Sequence, residues 1–444
     1  EFINTHHLDL RELSDFGKVI KSKSFFDSTQ FTSFKDLLNH ELKRPLRNAQ
    51  IQAAYHLIKL RRTMNFSVPG SGKTATVLGA YSYLLRQENL DKLIVVGPLN
   101  SFKSWIDEYF SVFEHANKHD IYDSRDESSS NIGSILLNDY MKYKIVLLNY
   151  ETLPRISNIL SSQIQSNSLI VFDEIHRVKK IDGIYAKAAI ELSKLIKYRV
   201  ALTGTPIPNG YLDLYNLFRI LFSSYSTSYF GFDQSYLTKI NKKYMSTKLE
   251  DTNLNNRINP FFIRLSKKDL QVPPANKERI IKVIEKEFAK EYEKIHYNND
   301  ENYLLKTAKL IQLSSIGADL INEKNLQDEI DGKYIENFPR YDIDTSIDSR
   351  KMKAVAELTQ RLIDENKSVI VWSVFVNTIE VLSNYLSGKG IENRIIYGQT
   401  DSMIRDQNVN DFNEKKFKVL ISNPSTLAES VSLHHACHDA IYFE

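Results

Sequence analysis

Residues 67–74 read SVPGSGKT, a run of small side chains that ends in lysine and threonine before a helical pattern over residues 75–86. Small residues let backbone N–H groups curl around a phosphate, and the N-terminus of the following helix adds partial positive charge. Lys73 can reach the terminal phosphates of a nucleotide, and the Thr74 hydroxyl can coordinate Mg²⁺. We therefore predict a nucleotide-binding loop. Its predicted members are Pro69, Gly70, Ser71, Gly72, Lys73 and Thr74.

Glycine is scarce in the chain, and this scarcity strengthens the interpretation. The sequence has 15 glycines and 11 prolines among 444 residues, and both shares are about half of the usual ones. The alternative is an ordinary glycine-containing turn before a helix, and Ser67 stands where the usual pattern has a further glycine. Because glycine is so rare here, the close pair Gly70 and Gly72 favours the phosphate-binding interpretation.

Two adjacent carboxylates follow an apolar segment about one hundred residues later. Residues 169–172 (LIVF) predict a buried strand, and Asp173 and Glu174 come directly after it. Ligands of parallel sheets bind at the carboxyl ends of the strands. We predict that Asp173 holds Mg²⁺ through water and that Glu174 orients and deprotonates the attacking water. The alternative, a strand that runs into an acidic helix cap, is weakened by the phosphate-binding pattern upstream.

A third candidate follows the strand pattern at residues 200–202, where Thr203, Gly204 and Thr205 stand in a row. Two hydroxyls that flank a glycine at a strand end can link the position of a catalytic carboxylate to a neighbouring lobe. Taken alone, the string is equally well explained as a turn.

The alternation of apolar runs and amphipathic stretches predicts an α/β fold class. Helical patterns such as residues 185–196 lie between the runs, and this is typical of parallel sheets covered by helices on both faces. The alternation stops at about residue 212 and resumes at about residue 350. The strand candidates are residues 93–96, 145–148, 169–172, 200–202, 369–372, 394–397 and 419–421.

We expect two parallel-sheet lobes with an interposed helical region. The predicted segments are an N-terminal appendage over residues 1–40, a first lobe over 41–275 with a helical protrusion at about 212–258, a helical insertion and linker over 276–348, and an incomplete second lobe over 349–444. The acidic stretch 328–348 is the predicted linker.

Composition excludes several classes of protein. The single cysteine, Cys437, rules out a disulfide framework and a Cys-rich zinc module. The apolar stretches are under half the length of a membrane span, and no signal-peptide pattern is visible. The cluster HHACH at residues 434–438 is interpreted as packing, although it could mimic a metal site. We expect a cytoplasmic protein without a membrane partner, and the formal charge of +3 does not by itself indicate nucleic acid.

In their order along the chain, these motifs resemble superfamily 2 helicases and translocases, and most closely the Swi/Snf-related DNA-dependent ATPases. Residues 46–50 (LRNAQ) are similar to the adenine-reading Q motif, residues 94–105 to motif Ia with its downstream tryptophan, and residues 173–176 (DEIH) to motif II. The likeness covers about residues 41–444. Further similar segments are residues 147–153, 203–217, 260–274, 369–375, 397–413 and 420–433.

The resemblance implies two RecA-like lobes that clamp ATP and Mg²⁺ between them and step along nucleic acid as they open and close. It assigns adenine recognition to Arg47 and Gln50, and it assigns coupling between ATP and nucleic acid to His176, Thr203 and Thr205. Contacts to the DNA backbone without base reading should make affinity fall steeply with salt. The residues implied in DNA contacts are Asn100, Lys103, Asn149, Tyr150, Arg177, Lys180, Ser373 and Ser422.

Two departures from the family pattern shape these expectations. Motif V has residues 427–430 (LAES) in place of Ala-Gly-Gly, a spelling that resembles divergent bacterial and phage- or defence-type members. The sequence stops at Glu444, before the place of motif VI and its arginines. Because an arginine finger is worth about 10³–10⁵-fold in related phosphoryl transfer, we expect this chain to bind ATP but to hydrolyse it weakly.

The main hypothesis is an ATP-dependent double-stranded DNA translocase that does not separate strands. One alternative is an unwinding DExH helicase that acts on DNA or RNA. Another is a nucleotide-gated DNA-binding subunit of a restriction or phage-defence assembly, with protein partners. The intact Lys73, Asp173 and Glu174 argue against the last alternative, whereas the altered motif V argues for it.

Overall fold

A computed structural model of the chain describes most of its residues. They fall into two compact units, Glu1–Pro274 and Ala275–Glu444, and each unit has its own parallel sheet. The described residues are 2–22, 28–127, 131–207, 210–222, 233–247, 251–271, 276–283, 288–298, 302–317, 321, 326–327, 349–427, 431, 433 and 436–444, with side chains described from Leu10 onward.

The sheet of the first unit has seven strands in the order β3-β4-β2-β5-β6-β1-β7, and every pair is parallel. Strands β2, β4, β5 and β6 are buried along their whole length, which explains their nearly continuous apolar sequences. The strands are β1 Arg62–Asn65, β2 Leu93–Gly97, β3 Ile121–Asp123, β4 Ile145–Asn149, β5 Leu169–Phe172, β6 Tyr198–Leu202 and β7 Phe262–Ile263.

Helices alternate with these strands and bury one apolar face each. In α5, for example, Phe102, Trp105 and Tyr109 recur at helical spacing and are buried, so one stripe of the helix covers the sheet core. The helices are α1 Phe2–Lys21, α2 Thr29–Glu41, α3 Asn48–Leu60, α4 Lys73–Glu88, α5 Leu99–Val112, α6 Ile132–Asp139, α7 Leu153–Gln163, α8 Ile184–Lys194, α9 Leu214–Phe222, α10 Gln234–Thr247 and α11 Thr252–Ile258.

Helix α1 lies against the segment that leads into β7. The Lys21 Nζ atom donates a hydrogen bond to Asn259 Oδ1 at 2.8 Å and lies 4.2 Å from the centre of the Phe262 ring. Gly17 lies so close to Pro260 that an added Cβ would be 2.1 Å from the Pro260 carbonyl oxygen. The N-terminal helix is therefore packed into the first unit.

The second unit has a four-stranded parallel sheet in the order β11-β8-β10-β9. Strands β8 and β10 are central and almost entirely buried. The strands are β8 Ser368–Trp372, β9 Arg394–Ile396, β10 Val419–Ser422 and β11 Cys437–Tyr442, and the helices are α12 Ala289–Tyr297, α13 Tyr303–Ile316, α14 Arg350–Asp364, α15 Val376–Gly388, α16 Ser402–Asn413 and α17 Pro424–Leu427.

The predicted fold class, α/β with two parallel sheets and helices between them, is confirmed. All seven predicted strands are present, but β1, β3, β7 and β11 were not predicted. Strand β7 even lies within the stretch from residue 212 that we expected to be helical. The predicted linker 328–348 lies outside the described residues, as do Pro208, Asn209, Pro273, Pro274, residues 428–430, His434 and His435.

Within the described part of the chain, no helix combines the length and the apolar character that a membrane crossing needs.

Candidate functional site

Three loops meet at the carboxyl edge of the first sheet. Strands β5, β6 and β1 are direct neighbours in that order, and each is followed by one of the predicted motifs. The segment 67–74 follows β1, Asp173 follows β5 and Thr203 follows β6. The topology thus brings together residues that are up to 136 positions apart in the sequence, Ser67 and Thr203, at the edge where parallel sheets bind ligands.

The loop between β1 and α4 depends on two glycines. Gly70 and Gly72 have φ values of +77° and +78°, a region that disfavours side chains. At Gly72 there is also no room, because an added Cβ would lie 2.0 Å from Nε2 of Gln50. The loop therefore turns directly into the N-terminus of α4, as a phosphate-binding loop requires.

Ser67 accounts for the departure from the usual glycine at the first position of the loop. Its side chain is fully buried, and its Oγ accepts a hydrogen bond from the Leu265 N–H at 2.9 Å. In return, the Val68 N–H donates to the Leu265 carbonyl at 3.1 Å. The serine thus fastens the loop to the segment that follows β7.

The loop has the properties of a phosphate cradle. The Lys73 Nζ donates to the carbonyl of Ser67 at 3.1 Å, so the cation lies folded over the loop. The buried Ser71 hydroxyl has no hydrogen-bond partner among the described residues, and at Gly70 an added Cβ would meet no atom within 4 Å. An unpartnered hydroxyl, a lysine and open space beside a helix N-terminus fit a bound polyphosphate.

The residues predicted to recognise adenine are bonded to this loop instead. The Nε2 of Gln50 donates to the Ser71 carbonyl at 3.1 Å, and its Oε1 accepts from the Arg47 N–H at 2.9 Å. Both amide atoms that bidentate recognition of adenine needs are therefore used within the protein. Adenine recognition by Gln50 stays a prediction, and it requires these two bonds to be exchanged. The Arg47 side chain is exposed.

Asp173 is buried, and both its carboxylate oxygens and its backbone N–H and carbonyl are hydrogen-bonded. Its Oδ2 accepts a hydrogen bond from the indole Nε1–H of Trp105 at 3.0 Å, and its Oδ1 accepts from the Glu174 N–H at 3.1 Å. Its backbone N–H donates to the Val96 carbonyl at 2.7 Å, and its own carbonyl accepts from the Tyr150 hydroxyl at 2.8 Å.

The electrostatics of Asp173 indicate a place for a cation. Burial is the main cause that raises the pKa of Asp173 to about 6, and the Glu174 charge acts in the same direction. Hydrogen bonds from Trp105 and Ser101 and the charge of Lys73 oppose this shift. A cation beside the carboxylate would keep it ionised. Together with the Thr74 hydroxyl at the start of α4, Asp173 is therefore suited to hold Mg²⁺.

The loop after Asp173 connects to the third motif. Glu174 has φ +46° and ψ +53°, a conformation that costs a non-glycine residue about 1–2 kcal/mol. Its Oε2 lies 3.3 Å from Nδ1 of His176, and the same nitrogen lies 3.2 Å from Oγ1 of Thr203. Thr203 Oγ1 also accepts from the Thr205 N–H at 3.1 Å. The structure thus brings together the three residues predicted to couple the motifs.

The residues predicted to contact DNA divide into two groups. Arg177 and Lys180 are exposed, and Lys103 is partly exposed and paired with Asp107. Asn100 is partly exposed. Asn149 is buried, and its Oδ1 accepts a hydrogen bond from the Thr152 N–H at 3.3 Å. DNA contacts by these five residues stay predictions.

The second group, Tyr150, Ser373 and Ser422, is buried, and DNA contacts by these three residues also stay predictions. All three side chains are at most 1% exposed. The hydroxyls of Ser373 and Ser422 donate to the carbonyls of Phe375 at 3.3 Å and Ile396 at 2.6 Å. The Tyr150 hydroxyl donates to the Asp173 carbonyl at 2.8 Å.

Sequence reasoning missed two contributors to the site. Trp105 appeared only as part of motif Ia, yet it bonds to the Asp173 carboxylate. Asn216, in α9, donates hydrogen bonds from its Nδ2 to the carbonyls of Val178 and Lys180, both at 2.8 Å. A lone asparagine in an apolar helix was the available signal, because a fully buried amide must be bonded.

No other metal centre is indicated by the described part of the chain. It contains no group of three or more His, Cys, Asp and Glu side chains that could hold an ion. Cys437 belongs to β11, where its Sγ lies 3.3 Å from the Ser368 carbonyl, as expected of a packed residue.

Comparison with known proteins gives two family matches in succession. The SNF2-related domain matches residues 61–333, more than half of the chain, and the helicase conserved C-terminal domain matches residues 350–442. The chain therefore belongs to the SNF2-related family, and the resemblance drawn from its motifs is confirmed.

Among the curated relatives is the ATP-dependent DNA helicase DDM1 of Arabidopsis thaliana, 25% identical over 399 residues that cover 83% of this chain and 50% of the relative. Human chromodomain-helicase-DNA-binding protein 1 is 23% identical, with coverage of 84% and 22%. The chain thus spans half or less of the length of these relatives. A solved structure, the Sulfolobus solfataricus SWI2/SNF2 ATPase core in complex with dsDNA, is similar with a TM-score of 0.43 and 20% identity, over 86% of this chain and 79% of that one.

Proposed function

We propose that the chain is a DNA-dependent ATPase that uses ATP and Mg²⁺ to move along double-stranded DNA. The observation that carries the proposal is the convergence of three motifs on neighbouring strand ends: a phosphate cradle after β1, Asp173 and Glu174 after β5, and Thr203 after β6. The proposal is supported by membership of the SNF2-related family and by a relative that is named an ATP-dependent DNA helicase.

Each residue of the site has a defined part in hydrolysis. The loop N–H groups and Lys73 bind the phosphates, and Thr74 and Asp173 hold Mg²⁺. When bound, Mg²⁺ supplies positive charge that neutralises the phosphate oxygens. Glu174 orients a water and accepts its proton. Only the charge and the position of these groups are needed, because phosphoryl transfer is largely electrostatic catalysis.

The contact between His176 and Thr203 is the proposed link from hydrolysis to DNA. His176 Nδ1 lies within 3.3 Å of both Glu174 Oε2 and Thr203 Oγ1. A change at the γ-phosphate that moves Glu174 therefore reaches the loop after β6 through one side chain. Further along the chain, Asn216 in α9 donates hydrogen bonds to the carbonyls of Val178 and Lys180. It thereby fixes the loop that carries Arg177 and Lys180.

Arg177 and Lys180 are the proposed contacts to DNA phosphates. Both are exposed, on the loop that follows the catalytic carboxylates. Each phosphate contact contributes about 0.9 to the slope of log affinity against log salt for duplex DNA. We expect the double variant Arg177→Ala/Lys180→Ala to bind duplex DNA more weakly and to lower this slope by about 2. Fluorescence anisotropy at several salt concentrations measures it, with the exposed Lys194→Ala as a matched control.

The test of the function is the dependence of ATP hydrolysis on the nucleic acid supplied. We expect hydrolysis to be stimulated most by duplex DNA, with Lys73→Ala as the inactive control, and we expect displacement of a third strand from a triplex in an ATP-dependent manner. Stimulation by single-stranded DNA or RNA together with opening of a forked duplex would favour the unwinding helicase. ATP-dependent DNA binding without hydrolysis would favour a nucleotide-gated binding subunit.

A further inference from the structure

We propose that Trp105 is a positioning residue for ATP hydrolysis: its indole N–H fixes the rotation of the Asp173 carboxylate and thereby the place at which Asp173 takes Mg²⁺. This inference rests on the proposed function. It assigns a role in hydrolysis to a buried side chain that acts through the Asp173 carboxylate.

The geometry of the contact allows only one arrangement. The indole has a single donor and no acceptor, and Nε1 lies 3.0 Å from Asp173 Oδ2. Trp105 is 2% exposed, so its ring cannot swing away without opening the core. A hydrogen bond to a charged acceptor in such surroundings is strong and directional.

The Asp173 carboxylate is hydrogen-bonded from α5, by Trp105 and Ser101, and from its own loop, by the Glu174 N–H. The hydrogen bonds with Val96 and Tyr150 hold the backbone of Asp173 on both sides, but they do not act on the carboxylate. The second carboxylate oxygen is bonded to the N–H of Glu174 at 3.1 Å, which belongs to the same loop and moves with it. Trp105, in contrast, belongs to α5 and anchors the carboxylate to a different element, with Ser101 one turn earlier on the same face.

The same helix offers a matched control one turn further on. The Tyr109 hydroxyl donates a hydrogen bond to Asp120 Oδ2 at 2.9 Å, and Tyr109 is 5% exposed. It therefore makes the same kind of contact, from a buried aromatic donor to a carboxylate, at a place without a catalytic residue. Any effect of Trp105→Phe that Tyr109→Phe shares is structural.

The first measurement is steady-state hydrolysis with saturating duplex DNA. For Trp105→Phe we expect kcat to fall about tenfold to hundredfold, because a hydrogen bond to a charged group is lost. The Mg²⁺ concentration for half-maximal rate should rise about tenfold, and the KM for ATP should stay within about twofold, since the phosphate loop is intact. Tyr109→Phe should leave all three within about twofold.

The second measurement does not use activity. Mn²⁺ replaces Mg²⁺, and its binding in the presence of ADP is followed by electron paramagnetic resonance. Trp105→Phe should weaken Mn²⁺ binding about tenfold, whereas ADP binding with a chelator present should not change. The sequence has two tryptophans, so Trp372→Phe leaves Trp105 as the single tryptophan, which can be excited selectively at wavelengths beyond the tyrosine absorption band. Its emission should respond to ADP with Mg²⁺ and not to ADP with the chelator.

A shape-preserving replacement covers the case in which Trp105→Phe does not fold. Benzothienylalanine at position 105 keeps the bicyclic ring and lacks the N–H, and it should reproduce the loss of Mn²⁺ affinity. Wild-type Mn²⁺ affinity in a folded variant without the N–H overturns the inference, and it does so even if hydrolysis by the wild type is stimulated by DNA as proposed. Absence of hydrolysis in the wild type overturns the proposed function, while the Mn²⁺ measurement still decides the role of Trp105.

Discussion

The carboxyl edges of the two sheets differ in what their polar side chains do. In the first unit, the residues after β1, β5 and β6 include a lysine and two acidic side chains, and the buried Ser71 hydroxyl has no partner among the described residues. In the second unit, Ser373 and Ser422 stand at the carboxyl ends of β8 and β10. The Ser422 hydroxyl bonds to the Ile396 carbonyl, and the Ser373 hydroxyl bonds to the Phe375 carbonyl and the Glu444 carboxylate. Each edge also has a buried polar atom without a partner among the described residues, but the lysine and the adjacent carboxylates of the proposed site belong to the first unit.

The backbone shows the same difference. In the described part of the second unit, the residues with positive φ are Gly317, Asn366, Gly390 and Lys415, and each follows a helix. Such turns end helices in many proteins. In the first unit, Gly70, Gly72 and Glu174 have positive φ between a strand and the next helix. Positive φ between a strand and the next helix thus occurs in the unit that carries the proposed site, and of these three residues only Glu174 is strained.

Glu174→Gln is expected to have the largest effect, and it tests whether the carboxyl edge of the first sheet supplies the catalytic base. Removal of the base should lower ATP hydrolysis about 10³-fold, while ATP affinity stays within a few-fold because Lys73 and the loop are unchanged. Hydrolysis and equilibrium binding of a fluorescent ATP analogue measure the two quantities. The exposed Glu151→Gln is the control. A loss of tenfold or less in Glu174→Gln would mean that the catalytic base lies elsewhere.

The next effect concerns His56 in α3, the helix that precedes β1 and the phosphate loop. His56 is fully buried, its Nε2 donates to the Pro260 carbonyl at 2.8 Å, and Thr63 Oγ1 lies 2.8 Å from its Nδ1. Burial lowers the pKa of His56 to about 3, and the Lys21 charge acts in the same direction. In the unfolded chain the imidazole titrates near 6.5, so its contribution to stability is complete above that pH and is lost as the pH falls from 6.5 towards 3.

At pH 5.0 this loss should amount to about 2 kcal/mol. We expect the free energy of unfolding of the wild type to fall by that much more than that of His56→Gln between pH 7.5 and pH 5.0. Urea unfolding at the two pH values measures the difference. Equal losses in both proteins would show that His56 does not stay neutral in the folded state.

A smaller effect is expected at the link between the motifs. Thr203→Val keeps the shape of the side chain and removes the hydroxyl that bonds to His176 and Thr205. We expect the stimulation of hydrolysis by duplex DNA to fall about fivefold, in line with the loss of one or two neutral hydrogen bonds, while hydrolysis without DNA is maintained. If hydrolysis with DNA and hydrolysis without DNA fall together, Thr203 supports the hydrolytic site itself and does not couple it to DNA.

The parts of the site that sequence could predict are those encoded within one segment. Gly70, Gly72, Lys73 and Thr74 form a continuous loop, and Asp173 and Glu174 follow a continuous apolar strand, so spacing alone places them. The contact between Trp105 and Asp173 joins residues 68 positions apart, and it depends on how α5 packs on the sheet.

The strands that were missed show the same limit. The sequence of β1, Arg62–Asn65, has one strongly apolar residue, Met64, and no alternation, yet β1 lies between β6 and β7 because its neighbours bury it. The burial of Tyr150 and Ser422 was likewise not predicted, because the continuous apolar pattern of a strand buried on both faces does not tell which way the side chain at its end points. Tertiary packing decides both whether a segment such as β1 forms a strand and where a side chain at a strand end points. Local spacing carries no information about that packing.

The smallest effect is expected at Ser422, and it is the sharpest test of the difference between the units. Its buried hydroxyl donates to the Ile396 carbonyl at 2.6 Å, so Ser422→Ala should lower the free energy of unfolding by about 1 kcal/mol. Duplex DNA affinity and its salt slope should be unchanged, in contrast to Arg177→Ala/Lys180→Ala. A tenfold loss of DNA affinity in Ser422→Ala at wild-type stability would mean that β10 opens its end when DNA binds. The carboxyl edge of the second sheet would then be a binding surface that is covered in the absence of DNA.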